Sequence, residues 1–404
     1  MKIFRTNLLA TRFSKVNLIV AATFFTVFCV YYIIMILTNT SSDIPTHVNI
    51  AYSFAVNHDK LFPNFLYYLL VAFLSGFSKN IYIYFIVAII LLAASLTAKL
   101  LITKLYLEKY IPTHNYNKPT RLLLAIMLLF VFALPGWNLV TSHQFYLGQL
   151  TPNVWHNSTI IFLMPFAIVL FFKSYEFLFL PISPQSKKQR AEIAVLIVIN
   201  ALIKPSFLFT LLPAVFFIFF YHRFFTKHTT RFAQLLPYFL GIVFILGEYL
   251  LIYKLNYVSR VVQSANSSGD VGFAPFEVWR HFSNNIPLSI ITSLLFPIVY
   301  IVLTGFKPLK NNLVQFAVLN FILGLAIWIL IEEKGYRKFD GNFGWQLIVC
   351  NYLLFFSLLI QFIKDCTANY ISKMKQLIIG TIFLLHFLWG IIYWIKIIIF
   401  KEYY

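Results

Sequence analysis

Acidic residues are scarce in this sequence: 13 Asp and Glu stand among 404 residues, and charged residues of both signs reach only 11%. A water-soluble domain carries roughly 25% charged residues. With 60% of the chain apolar, there is more apolar surface than one aqueous core can bury, so the surrounding solvent is lipid. Also missing is the ~10-residue alternation of apolar and polar positions that marks a membrane barrel. Cysteine is sparse too. Cys29, Cys350 and Cys366 have no paired spacing, which argues against a disulfide framework or a zinc site. There is no phosphate-cradling Gly-rich loop, no HExxH and no GxSxG. The net charge of +19 is not gathered into a basic stripe, so nucleic acid is not an expected partner.

What is present is a series of long apolar runs, many near the ~18–20 residues that span ~30 Å of hydrocarbon as helix. They lie near 17–37, 62–77, 80–103, 121–141, 158–172, 191–203, 206–221, 233–253, 286–304, 312–331, 344–363 and 376–399. The fold class is therefore all-α: a polytopic helical membrane protein built as one integral membrane domain over 1–404. Lys2, Arg5, Arg12 and Lys15 precede the first run, which is too long for a signal-peptide core and reads as a retained anchor.

Charge placement selects the topology. If 63–77 lies along the outer surface and does not cross, 21 Lys and Arg against four acids fall in loops on one side. The positive-inside rule then gives about eleven transmembrane helices plus one surface-lying helix, with the N-terminus cytoplasmic and the C-terminus extracytoplasmic. This count assigns Lys99 to an inside loop. The expected location is the plasma or inner membrane, with the bilayer itself as partner.

The polar side chains cluster in the loops facing outward. In the first, 38–62, Asp43 and His47 sit four apart, and Pro45 starts a short helix over Thr46–Val56. Asp43 is placed either to cap that helix or to accept a proton from a hydroxyl. The second loop, 136–157, has almost no formal charge but holds His143, Asn153, Trp155, His156 and Asn157. That mix of hydrogen-bonding groups and aromatic faces suits a polyhydroxylated ligand, while its tryptophans also suit an interfacial belt. Runs 191–203 and 206–221 are short and joined only by Lys204-Pro205, so the hinge lies below the outer surface, where irregular backbone is tolerated beside a cavity. Lys204 is there either snorkelling or facing an anion. Two further outer loops span 254–285 and 332–343. In the latter, Arg337 and Lys338 offer donors to a phosphate or join a solvated ion network with Glu332, Glu333, Lys334 and Asp340. Glu248, inside an apolar run, is an intramembrane carboxylate, either a functional candidate on that ground or neutralised by Lys254.

An acid just after the first span, the segment Pro63-Asn64-Phe65-Leu66-Tyr67-Tyr68-Leu69-Leu70, the Lys204-Pro205 hinge and eleven or so spans form a pattern. It resembles the GT-C superfamily of integral membrane glycosyltransferases, over perhaps the first 220 residues. The resemblance implies a GT-C-like module at 1–222 followed by additional transmembrane helices at 223–404. It implies transfer of a sugar from a polyprenyl-phosphate donor to a glycan or lipid acceptor, in surface polysaccharide or lipopolysaccharide synthesis. Asp43 would be the catalytic base, Lys204 and Arg337 would hold the phosphate, and the loop 136–157 would cradle the sugar. His47 and Lys338 complete the expected binding set. Many members carry two acids in the first outer loop, whereas Asp43 stands alone beside His47, which leaves use of a divalent metal open. Two other readings compete: a surface polysaccharide polymerase or ligase, and a lipid-linked oligosaccharide flippase. A transporter would show polar groups at mid-bilayer in inverted halves, and Asn200, Glu248, Asn320 and Asn351 are scattered.

Overall fold

In the computed structural model, residues 15–59, 64–111, 118–142, 144–179, 187–226, 232–251, 271–335 and 337–403 are described. The first apolar run forms α1 (Lys15–Leu37), followed at once by the short α2 (Ile44–Asn57) and α3 (Leu66–Leu74). Next come α4 (Ile81–Tyr110), α5 (Lys118–Phe130), α6 (Trp137–Ser142) and α7 (Ser158–Phe179). Then follow α8 (Lys187–Ile203), α9 (Leu208–Phe225) and α10 (Leu236–Tyr249). A strand β1 (Val271–Phe273) leads to α11 (Glu277–Phe282), α12 (Ile286–Ser293), α13 (Leu295–Leu303) and α14 (Asn312–Leu330). Strand β2 (Ile331–Glu333) pairs antiparallel with β1, and α15 (Trp345–Thr367) and α16 (Lys373–Phe400) follow.

Among the described residues, seven helical segments are long and apolar enough to cross a membrane, or eight when the α12–α13 pair, bent by 70°, is one span. The protein is thus a polytopic helical membrane protein. The expected count of eleven is not reached by length alone, because α5, α8 and α10 have 13, 17 and 14 residues. A 13-residue helix rises only about 20 Å.

Two of these short helices, α5 and α8, end in irregular backbone with polar groups that find partners inside the protein, as a lipid environment requires. After α5 the chain runs extended through buried Val131, Phe132 and Ala133. There the Phe132 amide donates to the His386 carbonyl (3.1 Å) and the Leu134 amide to the Thr292 carbonyl (3.1 Å). A glycine makes this possible. A Cβ on Gly390 would lie 1.5 Å from the Phe130 carbonyl oxygen, so α16 approaches the end of α5 only because it lacks a side chain there. At the other break, Pro205 closes off α8 and starts a 3₁₀ turn, with the Lys204 amide still bonded to Asn200 O (2.9 Å).

The two ends of the bundle differ in chemistry. At one, basic residues are held by carboxylates and rings: Lys104–Glu108 (3.2 Å), Lys109–Glu176 (2.5 Å) and Lys173–Glu192 (2.6 Å). Asp365 there accepts from Tyr300 Oη (2.6 Å) and Gln361 Nε2 (2.7 Å). At the other end, the segments after α1, α8, α14 and α16 and before α7 and α15 converge on one large cavity.

Three local expectations change. The first short helix starts at Ile44, with Asp43 at its N-cap position, yet the carboxylate makes no capping hydrogen bond. The surface helix is the nine-residue α3, which buries Tyr67, Tyr68, Val71 and Ala72 and exposes Phe73 and Leu74. Lys99 is no loop charge: it sits buried within α4, donating to Asn153 Oδ1, its ammonium 4.0 Å from the Tyr352 ring centre.

Candidate functional site

The cavity has a volume of about 940 Å³ and is lined from both halves of the chain. One wall is built around the start of α7. Asn157 caps that helix, its Oδ1 accepting from the Ile160 amide (3.1 Å) and the Thr159 hydroxyl (2.9 Å). The other end of the same amide, Nδ2, donates to Asp43 Oδ2 (2.6 Å). Lys204 Nζ donates to Thr159 Oγ1 (3.2 Å) and sits 4.6 Å from the Trp345 ring centre. A continuous line of hydrogen bonds therefore runs Lys204–Thr159–Asn157–Asp43 across the N-terminus of α7. The Asp43 amide donating to His156 O (3.1 Å) ties α2 to this wall.

His156 is 1% exposed and stacks on Tyr403 (3.9 Å between ring centres), with Tyr146 edge-on at 5.0 Å. Its Nδ1, like that of His47, is buried without a hydrogen-bond partner. Burial, reinforced by the Lys204 charge, pushes the His156 imidazole down to about 3. For His47, burial lowers it to about 4, with Lys204 and His156 adding to the fall and Asp43 opposing it. Both rings are therefore neutral at physiological pH, offering one donor and one acceptor each. The opposite wall is held by α11 and the loop after β2. Gly148, at φ +78°, lies so close to Phe282 that a Cβ would meet its carbonyl oxygen at 2.5 Å, and Trp279 Nε1 donates to Gly148 O (3.0 Å).

Of the expected site residues, Asp43, His47, His156, Asn157, Lys204 and Arg337 line this one cavity. Others do not. Asn153 turns away, its Nδ2 donating to Leu128 O (3.1 Å) and Val131 O (2.6 Å) while Lys99 donates to its Oδ1. Trp155 is packed among Phe28, Tyr31, Phe130 and Trp394, so it is core. Lys338 stands off the cavity, paired with Glu277 and with Glu332 (3.2 Å). His143 lies outside the described residues. Arg337 faces the cavity already engaged, with Glu333 at 3.6 Å and Asp340 at 3.3 Å. An ion network thus does form among Glu332, Glu333, Arg337, Lys338 and Asp340, but Glu332 and Glu333 are buried in it, so it is not the solvated one expected, and part of it is cavity wall.

Sequence reasoning missed Thr159, Tyr403 and Trp345. Thr159 and Trp345 stand at the starts of apolar runs and Tyr403 near the last residue of the sequence, so none carries a local signal. Only their shared neighbour His156 and the Lys204 ammonium reveal them. Among the described residues no group of three or more His, Cys, Asp or Glu is arranged to hold a metal ion. No family model, curated protein or solved structure matches the chain.

Proposed function

We propose that this protein is an integral membrane glycosyltransferase that moves a sugar from a polyprenyl-phosphate donor to a glycan or lipid acceptor. The observation that carries the reading is the meeting of Asp43, His156, Lys204 and Arg337 on one cavity at one end of the bundle, although they lie far apart in sequence. A carboxylate, a half-buried ammonium and neutral imidazoles beside aromatic faces suit general base, phosphate partner and sugar contacts in turn. The Asn157 amide fixes the Asp43 carboxylate through Oδ2, which orients the base. Lys204 is the cation best placed for the phosphate, because Arg337 is already shared by two carboxylates.

The eleven-crossing topology belongs to the same proposal. Alternating the helix ends, with α2 and α3 kept at the cavity end and α12–α13 taken as one crossing, gives eleven traversals. The paired basic residues then sit opposite the cavity, so the positive-inside rule puts the cavity on the extracytoplasmic face. Transfer from short-chain polyprenyl-phosphate sugars to a lipid or glycan acceptor, measured with purified protein in nanodiscs, tests the reading. Activity lost in Asp43→Asn with expression and melting unchanged supports it; undiminished activity in that variant removes the base.

A further inference from the structure

The charges lining the cavity do not balance. Lys204 and Arg337 face Asp43, Glu248, Glu333 and Asp340, so among the described residues the wall carries two more acids than bases. Three of the acids have partners. Asp43 accepts from Asn157, Glu333 accepts from Asn342 (2.5 Å) and lies by Arg337, and Asp340 shares Arg337. Glu248 has none. It is 7% exposed, it lines the cavity from the end of α10, and its Oε1 is buried without a hydrogen-bond partner. Ile245, one turn back on α10, and Phe209 on α9 line the same cavity.

A buried carboxyl oxygen left without a donor costs free energy, so such a group persists where something else supplies the donor. A carboxyl held in a low-dielectric pocket favours a positively charged partner, because only such a partner stabilises its ionised form there. A divalent cation would need several converging ligands, and no such group forms among the described residues. An ammonium needs only one carboxylate and benefits from aromatic faces.

We propose that the ligand of this cavity carries a protonated amine that pairs with Glu248, making the transferred group an amino sugar with a free amine. This rests on the glycosyltransferase reading and narrows its substrate. The transfer chemistry is unaffected: the amine is a recognition group, bound by ion pair and hydrogen bond without covalent change.

The test is binding to the full chain in nanodiscs of two probes, polyprenyl-phosphate glucosamine and the same lipid with the amine acetylated. The expected result is that the free amine binds at least about tenfold more tightly, and that Glu248→Gln removes the preference. Gln keeps the size and polarity of the side chain, and the binding of the acetylated probe reports that the variant is folded. Equal binding of the two probes to the native protein, or a preference kept in Glu248→Gln, overturns the amine assignment and leaves the transferase reading standing. Binding of neither probe overturns both.

Discussion

Among the lysines drawn into the bundle, Lys99 and Lys204 separate its packed floor from its site by their surroundings. Lys99 on α4 donates to Asn153 and lies over Tyr352, whose hydroxyl meets Thr103 Oγ1 (2.6 Å); the void beside it is about 10 Å³. Lys204 donates to Thr159 and lies over Trp345, but it opens on about 940 Å³ with the Asp43 carboxylate across a chain of three hydrogen bonds. The local recipe is the same: a hydrogen-bond acceptor and an aromatic face. What differs is what lies on the far side of the ammonium. A void that holds one water at most has nothing to recognise, whereas an open cavity with a carboxylate has. A buried lysine is thus evidence for a site only together with the space it faces.

The largest effect that would sharpen this contrast is at the site. Asp43→Asn is expected to lower sugar transfer by at least about 100-fold, since a positioned base contributes roughly that much or more. Melting in nanodiscs should be little changed, because Asn keeps an acceptor for Asn157 Nδ2 and no capping bond is lost. Next is Lys204→Met, which should reduce transfer about 10- to 100-fold through loss of the phosphate's partner, while the unfolding midpoint moves by no more than about 3 °C. If Lys204→Met instead unfolds the protein while leaving transfer by the folded fraction intact, the two lysines have the same role and the contrast fails.

At the floor the expectation reverses. Lys99→Met leaves Asn153 Oδ1 without its donor, and the cost is about 1–3 kcal/mol, read as a lower thermal midpoint. Binding of the donor lipid by the folded fraction should be unaltered. Gly390→Val should act in the same sense, since its side chain would collide with the Phe130 carbonyl.

The smallest effect concerns the histidines. His47 and His156 are held to about 4 and about 3, below the ordinary value near 6.5. As pH falls from about 6.5 toward 4, the unfolded chain takes up protons on these rings that the folded chain refuses, so stability declines across that window. Replacing His156 with Gln should flatten part of that decline in melting curves. A decline equally steep in the variant would mean that the ring protonates in the folded state.

Much was legible in advance. The apolar runs mark the helices, Asp43 and Lys204 stand out because a charge near lipid needs a reason, and Arg337 stands out as a fork of donors in an outer loop. The segment 153–157 shows where sequence runs out. Its composition promised a sugar-binding loop, yet Asn153 and Trp155 point into the bundle while His156 and Asn157 point at the cavity. In irregular backbone, adjacent side chains have no fixed period that assigns them to a face, so composition is readable and direction is not. The acid at 43 looked equally like a helix cap; only the position of Asn157, 114 residues away, shows the carboxylate turned from its helix toward the start of α7.

The sequence by itself determined that this chain lives in lipid, that it is helical and that its positive charge is gathered away from one set of loops. These are properties of composition and order, which the bilayer reads residue by residue. Tertiary structure alone decided which buried polar groups are satisfied within the protein and which are left open. Lys99 and Lys204, or Glu248 and Glu333, cannot be told apart by local sequence, because the donor, acceptor or empty space that defines each comes from a helix elsewhere in the chain.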